Sequence, residues 1–294
     1  MLAMNKFPLN GFFAIDKEKG WTSFDVVAKV RSVLGNIRTG HAGTLDPNAS
    51  GLLLLGVNKF TKILSFISQE EKEYEGEIFL GATSDTDDVE GNIKENKSYT
   101  TPTEQDIKNL IQERFIGEIL QEPPQFSAKK ISGTKAYELA RAGKRAKLPS
   151  SKVYIYEIKV LDFKFPILKI YVKCSAGFYV RSLARDLGRE LQCGAYLQDL
   201  KRTSIGKVRL DKAIKVSDLS LKNAEKHLLN LDEISTMEVR KLEDKKRFLV
   251  EQKIDVTKLG FDLKKEEEKF FLVSGNRLAV VEKINEVFRV TKTV

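Results

Sequence analysis

Apolar and polar positions along the chain mark out its elements in turn. Gly11–Asp16 (GFFAID) is a short apolar run of strand length. Ser23 stands where a helix cap belongs, ahead of Val26, Val27, Val30, Val33 and Leu34 at helical spacing, and Gly35 is placed to end that helix. Gly51–Val57 is apolar throughout and fits a buried strand or a buried helical segment equally well. Glu75–Leu80 reads as a strand and Thr103–Phe115 as a helix, separated by a polar acidic loop (TSDTDDVEGNIKENKS). Lys152–Phe163 and Leu168–Cys174 form a pair of predicted strands. In the second, Leu168, Ile170, Val172 and Cys174 alternate with Lys169, Tyr171 and Lys173, which gives one buried face and one wet face. Val180–Leu191 is an amphipathic helix with Leu183, Ala184, Leu187 and Leu191 inward, so Arg181 falls in its first turn. After about Asn230 the pieces are short and rich in Lys and Glu. Phe270–Val273, Leu278–Val281 and Val287–Val290 then read as three small strands of a separate β unit.

The 294 residues suggest about two domains. The expected division is 1–235 and 236–294. Fifty Lys and Arg against 41 Asp and Glu leave a formal charge of +9, which points to a polyanionic partner. Part of that surplus is concentrated between Gln121 and Lys152. There Lys129, Lys130, Lys135, Arg141, Lys144, Arg145, Lys147 and Lys152 face only Glu122 and Glu138, and the segment is predicted to protrude and to meet phosphates. It should hold one short helix at about Ala136–Arg141. Two cysteines and two histidines are too few for a disulfide framework or a His/Cys metal centre. The longest apolar stretch, Leu52–Val57, is far short of a membrane span, and the N-terminal segment lacks the parts of a secretory signal. A cytoplasmic protein is expected, with Met4 as an alternative start.

The chemistry concentrates in Thr39–Gly51 (TGHAGTLDPNASG). An Asp-Pro step among glycines reads first as an ordinary turn. The functional alternative is a stiff loop that presents the Asp46 carboxylate and the His41 ring into a cleft. Pro47 would fix the backbone just past the acid, and Gly40, Gly43 and Gly51 would admit another stretch of chain.

Together with four further segments this loop resembles the TruB family of RNA pseudouridine synthases. GHAGTLDPNASG matches the family pattern GHxGTLDPxAxG. Asp16-Lys17 with Gly20–Ser23 resembles DKPxGxTS, and Lys72-Glu73-Tyr74 resembles KxY. Gln121–Lys130 resembles QxPPxYSAxK. Cys174–Arg181, Asp186–Gly188 and Leu200–Arg202 resemble the run CSxGxYxRxL, DLG and LRR. The five motifs keep their order across about residues 11–206. Glu18 replaces a usual proline and Phe126 a usual tyrosine.

The resemblance implies an α+β fold with a mixed, largely antiparallel central sheet flanked by helices, and a small C-terminal PUA-like RNA-binding β domain. It implies isomerisation of uridine 55 in the tRNA T loop, by a stand-alone monomer with no cofactor, metal or guide RNA. Asp46 would act as nucleophile or electrostatic stabiliser beside the glycosidic bond, with attack at C1′, attack at C6 and a glycal route all open. Arg181 would pair with Asp46, and Tyr74 would stack on the base. Tyr179 would orient the arginine, and Leu200 would wall the pocket. His41 would take the space that the extruded base leaves. Lys17 would contact a phosphate or support its own loop. Lys129, Lys130 and Arg141 would close on the T arm. Intact Asp46, Tyr74 and Arg181 favour an enzyme over a non-catalytic RNA-folding protein, and the missing Lys-rich tail separates the chain from guide-RNA-dependent relatives.

Overall fold

The computed structural model describes residues 9–127, 129–131, 134–136, 138, 148–242, 269–274, 277–284 and 287–293. In chain order its strands begin with β1 Gly11–Lys17, β2 Thr39–His41, β3 Ser50–Val57 and β4 Lys72–Leu80. A small hairpin of β5 Ala82–Ser84 and β6 Ile93–Glu95 follows, then β7 Gly117–Gln121 and a second hairpin, β8 Lys130–Ile131 with β9 Thr134–Lys135. Next come β10 Ser151–Lys164, β11 Ile167–Cys174, β12 Ala195–Ile205, β13 Val208–Arg209 and β14 Ile214–Lys215. The last four are β15 Val239–Leu242, β16 Lys269–Ser274, β17 Arg277–Ile284 and β18 Val287–Thr293. The helices used below are α1 Ser23–Val33, α2 Leu64–Ile67, α3 Glu104–Arg114 and α4 Val180–Glu190.

A ten-stranded mixed sheet runs β14-β1-β3-β12-β4-β11-β10-β7, with β2 on β3 and β13 on β12. The pairs are antiparallel except β1/β14 and β3/β12. A four-stranded sheet, β15-β16-β17-β18, follows. This is the mixed, largely antiparallel α+β arrangement expected. The all-apolar run at Leu52–Val57 is a central strand buried on both faces, not a helical segment. Helices α3 and α4 cover one face of β4, β11 and β10, sharing a core of Ile78, Leu80, Ile107, Ile111, Leu168, Ile170, Leu183 and Leu187. Helix α1 covers β1 and β3 through Val26, Val27 and Val30.

The cap of α1 is Thr22, not Ser23. Thr22 and Asp25 form a reciprocal capping box, which leaves the buried Ser23 hydroxyl for a tertiary contact. The acidic loop after β4 carries the β5–β6 hairpin. Strand β12 was not signalled by any alternation. It carries two register shifts against β4 and buries Arg202 to 1% exposure, so its pattern does not keep a period of two. The helix expected at 136–141 falls largely outside the described residues. Among the described residues no helix is long and apolar enough to cross a membrane.

Candidate active site

The central sheet separates where β3 meets β12. Only Ser50↔Lys201 and Gly51↔Arg202 pair there, and a cleft beside the junction is lined by Gly43–Asp46 of the loop before β3 and by Leu200 and Arg202 of β12. Gly51 makes the junction possible. Its φ is +96°, and an added Cβ would lie 2.3 Å from the Arg202 carbonyl oxygen. The loop that carries Asp46 is held on both sides of the acid. The Leu45 amide donates to Ser23 Oγ at 2.8 Å, and Ser23 Oγ donates to the Leu45 carbonyl at 3.0 Å. The Pro47 carbonyl accepts from the Gly20 amide at 2.9 Å and from Lys17 Nζ at 3.2 Å. Lys17 also donates to the carbonyls of Glu18 and Trp21 and is fully buried. Its place is therefore in support of the loop. Of the two roles open from sequence, loop support is the one the geometry favours, because all three ammonium donors are spent on carbonyls inside the protein. Burial lowers its pKa to about 8.

Arg181 reaches Asp46 from the first turn of α4. Nε lies 3.0 Å from Oδ2 and Nη2 lies 3.2 Å from Oδ1, a side-on bidentate pair across 135 residues of sequence. The same guanidinium donates to the carbonyls of Thr86 (3.3 Å) and Phe126 (3.1 Å) and stands 3.6 Å from Asp88 Oδ2. Its side chain is 7% exposed, against 37% for Asp46, so the acid reaches into the cleft and the arginine backs it. Burial raises the Asp46 pKa above the ordinary carboxylate range and Asp88 adds to this, while Arg181, Lys17 and Arg202 pull it down. Gln121 brackets the start of α4, accepting from the Tyr179 amide at 2.8 Å and donating to the Tyr179 carbonyl at 3.0 Å.

The cleft has a volume of about 290 Å³ and brings together Asp46, Tyr74, Tyr179, Arg181 and Leu200. Tyr74 is buried and its pKa is pushed up to about 12, mainly by burial, so it is a neutral phenol at pH 7. Burial likewise raises that of Tyr179. His41 lies in an adjoining chamber of about 510 Å³, which shares Asp46, Arg181, Thr44 and Phe126 with the cleft. Burial and the charge of Arg202 lower its pKa, leaving an uncharged ring.

Three residues carry more of the site than sequence reasoning assigned to them. Arg202 donates from Nε to the Leu52 carbonyl at 2.7 Å and from Nη2 to that of Gly43 at 3.2 Å, and it also bonds the Tyr74 hydroxyl. Lys72 lines the cleft and donates to the Ser68 and Glu70 carbonyls, and burial lowers its pKa to about 8. Both were matched letters of the motifs, Lys72 in KxY and Arg202 in LRR, to which no role was assigned. Asp88 sat in a stretch read only as an acidic loop. A signal was present there, since Arg181 and Arg185 share a face of α4 at i,i+4, and they meet Asp88 and Asp87 of that loop.

Lys129 differs from its expected role. Its ammonium donates to the Pro149 carbonyl at 2.8 Å and to Ser151 Oγ, so it closes the base of the basic excursion instead of standing out toward an RNA. Lys130 begins β8, with its side chain outside the description, and Arg141 lies outside the described residues. Among the described residues no cluster of His, Cys, Asp and Glu is arranged to hold a metal.

Known proteins share this arrangement of sequence and fold. The sequence model of the TruB family pseudouridylate synthase N-terminal domain matches residues 31–180, and that of the tRNA pseudouridylate synthase B C-terminal domain matches 181–239. The tRNA pseudouridine synthase B of Clostridium acetobutylicum is 42% identical over 224 residues, 76% of this chain and 77% of its own. That of Solibacter usitatus is 40% identical over 220 residues, 75% of each chain. That of Thermobifida fusca is 41% identical over 219 residues, 72% of this chain and 74% of its own. In fold, a chain from the crystal structure of a Cbf5-Nop10-Gar1 complex aligns with a TM-score of 0.71 at 22% identity, covering 97% of this chain and 85% of that one.

Proposed function

Because the chain belongs to the TruB family of pseudouridylate synthases, we propose that it isomerises uridine 55 in the T loop of tRNA to pseudouridine, with Asp46 at the reacting centre. The observation that carries this reading is the bidentate Arg181–Asp46 pair at the floor of a cleft walled by Tyr74, Tyr179 and Leu200.

The reaction breaks the bond from C1′ to N1, turns the uracil and forms a bond from C1′ to C5. N1 gains a proton and C5 loses one, so atoms and electrons balance without redox change. The target nucleoside must leave its stack, at about a few kcal/mol. The uncharged His41 ring, which lines the chamber beside the cleft, fills the space left behind. Asp46 then faces the sugar–base junction, either as a covalent nucleophile or as the anion that offsets positive charge developing at C1′. Arg181 opposes the effect of burial on the Asp46 carboxyl, and its fork holds both oxygens in one orientation. Tyr74 offers a ring for stacking, and Arg202 fixes its hydroxyl. Leu200 and the tyrosine rings limit water around the detached base, which must be recaptured before the sugar is hydrolysed.

The protein acts as a monomer on free tRNA, the basic excursion at 121–152 closes over the T arm, and residues from about 236 onward form a small unit that meets RNA. The test of the central reading is purified protein incubated with unmodified tRNA, followed by chemical mapping of pseudouridine, wild type beside Asp46→Asn. Product at position 55 with the wild type alone is the expected result. Product formed equally by Asp46→Asn refutes it.

A further inference from the structure

One buried acid lies outside the cleft and serves none of the chemistry above. Glu70, 5% exposed, sits just before β4, two residues from Lys72 and four from Tyr74. Its carboxylate accepts from Ser235 Oγ at 2.6 Å, from the Thr236 amide at 3.0 Å and from the Thr236 hydroxyl. These donors belong to the connector that leads into the four-stranded sheet. Ser235 is itself fully buried, the Glu238 carbonyl accepts from the Phe271 amide, and β15 begins at Val239. Gly206 lets the two segments approach. An added Cβ there would lie 2.8 Å from the Ile234 carbonyl oxygen and 3.0 Å from a Glu70 carboxylate oxygen.

The sheet also packs on the catalytic body through apolar side chains, Phe271 meeting Phe66 edge to face at 6.4 Å. Apolar contact has no direction, whereas three hydrogen bonds on one buried carboxylate fix an orientation. The strands so fixed are basic, although residues 236–294 together carry only a small excess, 14 Lys and Arg against 11 Asp and Glu. Strands β15–β18 carry Arg or Lys at seven positions and one acid, Glu282. Such a surface attracts a polyanion.

We propose that Glu70 is a specificity-determining positioning residue: it sets the four-stranded sheet at a fixed place relative to the Asp46 cleft, so that an RNA long enough to touch both is bound in preference to one that fills the cleft alone. This deepens the tRNA pseudouridine synthase reading and rests on it. A longer RNA bound at two rigidly connected surfaces gains effective concentration at the second, and that gain is lost when the connection slackens.

The test compares KM and kcat on full-length unmodified tRNA and on an isolated T-arm hairpin, for wild type, Glu70→Gln, Glu70→Ala and Ser235→Ala. Wild type should show a KM for tRNA below that for the hairpin. The variants should raise the tRNA KM about tenfold toward the hairpin value, with kcat and all hairpin kinetics changed by no more than about twofold. A merely structural role would lower both substrates together. Equal KM values in wild type, equal losses on both RNAs, or an unchanged preference for tRNA in all variants overturns the proposal. If Glu70→Ala does not fold, Glu70→Gln and Ser235→Ala carry the comparison. Absence of pseudouridine from wild type on either RNA would instead refute the parent reading.

Discussion

Replacing Arg181 separates its two contributions, charge and fork. In Arg181→Met the guanidinium disappears, and Asp46 keeps the burial and the neighbouring Asp88 that raise its pKa while losing the largest opposing influence. The carboxyl must move further up, and each unit corresponds to about 1.4 kcal/mol and a tenfold smaller ionised fraction below the pKa. The sign follows directly. A step that needs ionised Asp46 is lost as pH falls through that pKa, so a higher pKa shifts the acid limb toward alkaline pH. In Arg181→Lys a positive charge remains, but one ammonium cannot reproduce contacts at 3.0 and 3.2 Å to both oxygens while also reaching the Thr86 and Phe126 carbonyls. Loss of one charge-assisted bond, about 1.5–3 kcal/mol, corresponds to about ten- to 150-fold in rate. The assay is single-turnover release of tritium from tRNA labelled at uridine C5, over roughly pH 5 to 9. Expected are an alkaline displacement of the acid limb in Arg181→Met, and a smaller displacement with a lower plateau in Arg181→Lys. An Arg181→Met protein that folds and keeps both the wild-type limb and the wild-type plateau would refute the electrostatic account.

Other substitutions probe the supports of the loop. Lys17→Met removes the bond to the Pro47 carbonyl. The single-turnover rate should fall about 10- to 100-fold through misplacement of Asp46, with tRNA Kd by filter binding changed by no more than about twofold. A weakened Kd with an unchanged rate would return Lys17 to phosphate binding. Gly51→Ala should cost about 3 kcal/mol in urea unfolding, because it combines φ of +96° with a clash against the β12 backbone. A midpoint equal to wild type would show that the β3–β12 junction can relax. Arg202→Met leaves the Gly43 and Leu52 carbonyls without their partner and frees the Tyr74 hydroxyl, and should destabilise the fold by about 3 kcal/mol. Unchanged stability would mean that the guanidinium is dispensable there.

The legible parts of this protein are those written in local pattern. Helical spacing of Val26, Val27 and Val30 placed α1, and alternation in Leu168–Cys174 placed β11. The motif around Asp46, together with Tyr74, Tyr179, Arg181 and Leu200, named the residues that the fold gathers in one cleft. Strand β12 was not legible, since its bulges break the period and a buried arginine mimics a surface position.

What the sequence settled by itself was the kind of element at most positions, the family, and the set of side chains bearing the chemistry, because these depend on residue type and short-range spacing. Only the tertiary structure decided which way those side chains turn. Lys129 carries charge that the sequence assigns to RNA, and for Lys17 the sequence leaves phosphate contact and loop support both open, yet carbonyls brought close by the fold claim both ammonium groups. Asp88, Arg202 and Glu70 acquire roles only because sheet order sets them beside partners far along the chain, Glu70 and Ser235 being 165 residues apart. Hydrogen bonding and desolvation act over a few ångströms of space, and the number of residues between two groups says almost nothing about that distance until the strands are paired.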